Sequence, residues 1–293
     1  MSRTQARVLL AAVLAARGIS FLFNKELVRS MSPMSVMAVR FLLAFVILAF
    51  VFHKKLRACD RNSLRGGVIL GILYSLVVIF DLYALRSIDS GVAALIENMA
   101  IVLVPIAAAV LSRTFPKKKT MICALLAVIG VGFLSLAQPG GSGSGLGIVL
   151  AVFAALAYTA CILATERVSR NADPVSVGVI QLGTMGLVGL AASLCSGGVG
   201  MPQTGRQWIM MLILVLICSC FGFTYQPVAQ KYLTAEEAAE LIVINPLTAS
   251  LVGILVAHES VSVPKIIGYV LILSSLFLYN IRVKPPEKTT DTE

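Results

Sequence analysis

Histidine and acidic residues are scarce in this chain, and that scarcity removes most enzyme chemistry at the outset. The 293 residues include two histidines, His53 and His258, and 14 Asp or Glu against 24 Lys or Arg. Both histidines sit at the ends of apolar runs predicted on opposite faces of a membrane, so they do not converge on one centre. His-Glu-x-x-His, Gly-x-Ser-x-Gly and paired aspartates on facing helices are all missing, which excludes a zinc-hydrolase or serine-nucleophile centre. Gly-x-x-x-x-Gly-Lys-Ser/Thr is missing too, so nucleotide-driven pumping by this chain is excluded. The cysteines are Cys59, Cys123, Cys161, Cys195, Cys218 and Cys220, without metal-ligand or redox spacing. They read as small buried hydrophobes. No catalytic residue, metal site or cofactor is expected. No loop exceeds about a dozen residues, too little for a soluble sensing or signalling domain. A membrane-embedded receptor or assembly subunit therefore remains only as the alternative reading.

What the chain does have is apolar sequence: 58% hydrophobic, 13% charged, mean hydropathy +0.92. Crossing a bilayer takes about 20 apolar residues. Ten such runs are predicted, at Val8–Leu27, Met34–Phe52, Leu64–Leu85, Val92–Leu111, Met121–Ala137, Leu146–Thr165, Val175–Cys195, Trp208–Ala229, Ala235–Ala257 and Ile266–Ile281. The runs are continuous and do not alternate with period two, which excludes a barrel. The fold class is an all-α integral membrane protein. Arg3 and Arg7 ahead of an Ala/Leu/Val run resemble a signal peptide, but the run continues past Arg17 into Phe21–Phe23, so it is read as the first span.

Basic residues set the orientation. With the N-terminus inside, seventeen Lys and Arg fall on the inner side, among them Lys54, Lys55, Arg57, Lys117, Lys118 and Lys119. Five, namely Lys25, Arg29, Arg86, Arg206 and Lys265, fall outside. This bias predicts cytoplasmic N- and C-termini in the cell (plasma) membrane. The net charge of +10 thus reports topology and contact with anionic lipid; no nucleic-acid partner is expected.

The two halves match each other. Leu76–Leu134 lies over Phe221–Tyr279 without a gap at an offset of 145, and Pro33-Met34-Ser35-Val36 over Pro174-Val175-Ser176-Val177 at an offset of 141. The predicted organisation is a five-helix repeat at 1–138, a Gly/Ser linker at 139–145 and a second repeat at 146–293 with a short cytoplasmic tail. Five spans per repeat force the halves into opposite orientations, an architecture of many secondary transporters.

Further sequences add a likeness to known proteins. They are Ser20-Phe21-Leu22-Phe23-Asn24-Lys25, Arg40-Phe41-Leu42-Leu43-Ala44, Tyr83-Ala84-Leu85-Arg86, Gly91-Val92-Ala93-Ala94-Leu95-Ile96, Gln230 to Ala239, Asn245-Pro246 and Ile267 to Leu273. In that order the chain resembles the drug/metabolite transporter superfamily, in its bacterial EamA-type members. The resemblance implies ten helices around a central cavity, spans five and ten at the periphery, and a small-molecule solute as partner, with export as the direction. The family's acid after spans four and nine is present only as Glu259; half one reads Leu111-Ser112-Arg113.

Ionisable groups within the bilayer usually face the bundle interior. Counted at about 1.5 Å per residue, Arg40, Glu97 and Asp81 lie roughly 9, 8 and 6 Å below the outer surface, and Arg17 near the midplane. Two readings stand. Arg40 forms a structural ion pair with Asp81 or Glu97, or one of these carboxylates is a coupling site for H+ while Arg17 contacts an anionic group on the solute. Arg17, Asn24, Tyr74, Asn98, Tyr158, Gln181, Tyr225 and Asn245 are the candidate cavity residues. Gly67-x-x-x-Gly71 and Gly183, Gly186 and Gly189 permit close helix contact. Pro246 is read as a kink or as the source of a freed carbonyl. Oligomeric state is not legible.

Overall fold

A computed structural model describes the chain except for residues 138–143, 170–171, 223–224, 226–228, 230–231, 233–240, 242 and 281–293. The Gly/Ser linker, parts of the eighth and ninth predicted spans and the C-terminal tail therefore lie largely outside the described residues. Those described form helices and no strand. The helices are α1 Arg3–Val28, α2 Pro33–Val51, α3 His53–Arg57, α4 Arg61–Ala84, α5 Ser90–Asn98, α6 Ala100–Leu111, α7 Lys118–Ala137, α8 Ser144–Ser169, α9 Pro174–Cys195, α10 Gly205–Ile213, α11 Ile244–Ala257 and α12 Val263–Asn280. A π-helical stretch, Leu214–Phe221, continues α10. Seven helical segments are long and apolar enough to cross a membrane, with α5 and α6 counted as one, and three shorter apolar helices begin at Gly205, Ile244 and Val263.

Local chemistry sets the helix starts. Ser32, Asp60 and Asp173 cap α2, α4 and α9 by accepting from Ser35, Ser63 and Ser176 N–H, and Pro occupies the first position of α2 and α9. Capping satisfies donors that the first helical turn leaves unpaired. Between apolar spans lipid supplies no hydrophobic drive, so small residues decide which helices approach closely. A Cβ on Gly183, Gly186 or Gly189 of α9 would meet Phe45, Leu42 or Ala38 of α2 within 2.8 Å, and one on Gly67 of α4 would meet Ile180 of α9. The glycine faces expected from the sequence are thus the α2–α9 and α4–α9 contacts.

Besides these, α1 packs on α11, α8 on α5 and α6, and α7 on α12. If the first five predicted spans are exchanged for the last five, α2–α9 and α7–α12 map onto themselves and α1–α11 maps onto α8 with α5 and α6. The fourth span breaks at Met99, between α5 and α6. In the ninth, the described helix α11 runs from Ile244. Pro246 therefore falls in the first turn of a helix, where its missing N–H has no partner to lose. Arg113 and His258, each just beyond a helix end, are the two non-glycine residues with positive φ among those described, at 53° and 51°. They stand 145 residues apart in the sequence.

Candidate functional site

Five of the sequence-derived residues meet between α1, α4, α5 and α8. Arg17 donates from Nη1 to Tyr158 Oη at 3.2 Å, and its guanidinium carbon lies 5.5 Å from that ring's centroid. Its Nη2 is 3.5 Å from Glu97 Oε1. The Tyr74 and Tyr158 rings meet edge to face at 5.9 Å. Asp81 interacts with Glu97, and its Oδ1 has no hydrogen-bond partner among the described residues. Glu97 and Asp81 are 3% and 7% exposed, so the two acids are buried, while the Arg17 side chain is 21% exposed.

Arg40 is placed differently from the sequence expectation. Its Nε donates to Ser219 Oγ at 2.9 Å and its Nη1 to Asn24 Oδ1 at 3.2 Å. It forms no ion pair among the described residues, so the expected partnership with Asp81 or Glu97 is corrected: Arg17 takes Glu97. The reason is azimuth. The Arg40 side chain runs toward the π-helical stretch, which presents Ser219.

The other candidates divide. Gln181 Nε2 and Asn245 Oδ1 are buried without hydrogen-bond partners among the described residues. Asn98 donates to Ala94 O of its own helix at 2.6 Å. Tyr225 is 45% exposed and stacks on Phe221 at 5.1 Å, outside the Arg17 cluster. Asn245 is held beside α1 because residue 18 is glycine: a Cβ there would lie 2.5 Å from Asn245 O and 3.0 Å from Ala249 N. Both contacts are backbone, which cannot give way as a side chain can. Gly18→Ala should thus push α11 off α1, with an overpacking cost of about 1–3 kcal/mol. A lower thermal midpoint in detergent is the expected reading, and an unchanged midpoint would show that α1 and α11 are not in this contact.

A second polar cluster, missed in the sequence, closes the end of the bundle opposite the basic loop. Lys25 Nζ lies 2.9 Å from both Asp89 Oδ1 and Glu259 Oε1. Lys265 Nζ lies 2.7 Å from Asp89 Oδ2 and 3.8 Å from Glu259 Oε2. Asp89 stands at the N-cap of α5 without capping it, since both its oxygens face lysines. Glu259 does that work from the other half of the chain, accepting from Ser90 N–H at 2.7 Å and Ser90 Oγ at 2.8 Å. Negative charge at a helix N-terminus is favourable. The lysines had been counted as loop charges; a pair of acids at the same end was the available signal.

An apolar crevice of about 500 Å³ opens near this end between α1, α10 and the end of α11, with Glu26, Arg29 and Arg206 among its lining residues. None of the central polar residues lines it. Among the described residues no group of His, Cys, Asp and Glu is arranged to hold a metal ion.

Comparison with known proteins adds the following. The model of the EamA-like transporter family matches the chain twice, over residues 6–136 and 145–281. A protein of Archaeoglobus fulgidus described as an uncharacterized transporter is 27% identical over 289 residues, 97% of this chain and 88% of the relative. A second, described in the same words and from the same organism, is 26% identical over 80% of this chain and 84% of its own length. One crystal structure superimposes with a TM-score of 0.63 at 15% identity, over 94% of this chain and 96% of that one, a likeness of fold alone.

Proposed function

The chain belongs to the EamA-like transporter family, and from that premise we propose a secondary-active carrier that moves a small metabolite or drug-like solute by alternating access. That it is a multi-pass membrane transporter follows from the family and its apolar helices. The finer reading is that two inverted five-helix repeats enclose the Arg17 cluster and open it to one face at a time. Supporting this, Arg17 and Tyr158 touch while standing 141 residues apart, the same offset that relates Pro33 to Pro174. The break in the fourth span at Met99 supports it as well, because discontinuous helices are where such carriers bind solute and coupling ion. Export is the direction we assign, on the family resemblance.

One observation carries the coupling assignment: Asp81 and Glu97 are in contact, with Arg17 3.5 Å from Glu97. Two adjoining carboxyls hold one proton more readily than two negative charges. A conformational change that moves Arg17 or admits water alters that balance, as a proton-coupled cycle requires. The test is uptake of a metabolite panel into proteoliposomes with and without an imposed pH gradient. Gradient-stimulated movement of at least one solute is expected; movement indifferent to the gradient would remove proton coupling and leave exchange.

Orientation has its own test. On a cysteine-free background, Arg57→Cys and Lys118→Cys should react with an impermeant thiol reagent only from the cytoplasm, and Gly200→Cys only from outside. Reaction at position 57 from outside would end the assignment of cytoplasmic termini.

A further inference from the structure

One guanidinium at the centre of the bundle lacks a carboxylate partner among the described residues. Arg17 and Arg40 lie within Coulombic range of each other. Arg17 has Glu97 at 3.5 Å. Arg40, 7% exposed, meets no carboxylate among the described residues: the neutral oxygens of Ser219 and Asn24 accept from it, and its guanidinium carbon lies 4.9 Å from the Phe41 ring centroid. Asp81 does not serve it: that carboxyl interacts with Glu97, and one of its oxygens meets no donor among the described residues. Of the two guanidiniums, Arg17 alone has a carboxylate within ion-pair distance among the described residues. Buried charges are ordinarily paired, since neutral hydrogen-bond acceptors do not replace a counterion. A guanidinium is also a planar fork suited to carboxylate and phosphate oxygens.

We propose that Arg40 is the binding site for one anionic group of the transported solute, a carboxylate or other oxyanion. The proposal rests on the carrier reading above and names its substrate class. Asn24 and Ser219 hold the guanidinium in place, and Gln181 Nε2, buried without an acceptor among the described residues, is a neutral donor in the same interior. The solute supplies the negative charge that Arg40 lacks among the described residues.

Purified full-length protein in detergent tests this directly. Its thermal midpoint is followed in sodium acetate, benzoate and phosphate against chloride at equal ionic strength, with tetraethylammonium chloride and glucose as cationic and neutral probes. At least one oxyanion should raise the midpoint by about 5 °C near a hundred times its Kd. Arg40→Gln should lose that shift. Its own midpoint in chloride should be equal to or above wild type, because an uncompensated charge has been removed, whereas loss of a structural ion-pair partner would lower it. Arg40→Lys, which keeps the charge and loses the fork, should fold and show a smaller shift. Arg40→Gln that responds to oxyanions as wild type does, or wild type that responds only to tetraethylammonium or glucose, overturns the proposal. So does failure of both variants to fold. The same preparations in proteoliposomes separate the two readings. If glucose or tetraethylammonium is carried and no oxyanion is, the carrier stands and the anion site falls. If an oxyanion binds through Arg40 and no solute crosses, the anion site stands and the carrier reading falls.

Discussion

Glu97→Gln is expected to abolish solute accumulation driven by a proton gradient while leaving solute exchange intact. Exchange carries one solute in for one out and needs no net proton movement. Accumulation needs a group that takes a proton on one face and releases it on the other. Glutamine fills the same volume and still accepts from Arg17, so the 3.5 Å contact survives as a neutral hydrogen bond and packing is preserved. What disappears is the proton site shared with Asp81. One pH unit is worth about 1.4 kcal/mol, or about tenfold in accumulation for one proton per solute, and the variant should show none of it. Accumulation at the wild-type level under a gradient would free Glu97 of the coupling role and leave it as the counterion of Arg17.

The second large effect is expected at the end opposite the basic loop. Glu259→Gln leaves Lys25 and Lys265 with Asp89 alone, in a place where Lys265 and Glu259 are each 2% exposed at the side chain. Removing one partner from a buried ionic set costs about 3–5 kcal/mol, a fall in thermal midpoint of about 10 °C. Replacing Lys265 by Met as well should recover part of this, because the charge left over is gone. A single variant as stable as wild type would mean the cluster is hydrated and worth little. Acid should act on the same cluster through Asp89. Burial raises that carboxyl, but the Lys265 and Lys25 ammoniums bonded to it outweigh burial and hold it below the usual range. Its contribution is then full above the unfolded value of about 3.9 and is lost as pH falls through the lower folded value. Between pH 7 and pH 5, Asp89→Asn should differ from wild type by a constant amount, narrowing only below about pH 4.

Spans were legible because a bilayer demands long apolar runs, and α1, α2, α4, α7, α8 and α9 begin within a few residues of where hydropathy puts them. That Arg17, Glu97 and Asp81 fall inside apolar runs was legible for the same reason. Partnership was not. Each residue turns a helix by about 100°, so groups at one height can face opposite ways, and Arg40 turned toward Ser219 instead of an acid. The π-helical stretch that presents Ser219 has no pattern in Leu214–Phe221 to announce it. The Lys25–Asp89–Glu259–Lys265 cluster was hidden by distance along the chain: Lys25 and Glu259 are 234 residues apart, and each looks alone like a residue at the membrane surface.

That separation shapes how the protein is made. Asp89 and Lys265 are 176 residues apart, so at about 5–20 residues per second the first half waits roughly 10–35 s for its counterpart. During that interval Lys25 and Asp89 have only each other, and the Ser90 N–H at the start of α5 has no carboxylate. The first five spans are thus born with an unfinished helix cap that only the second five can close. However alike the two halves are, neither is a self-sufficient module: a chain cut at the linker should assemble only when both pieces are synthesised together.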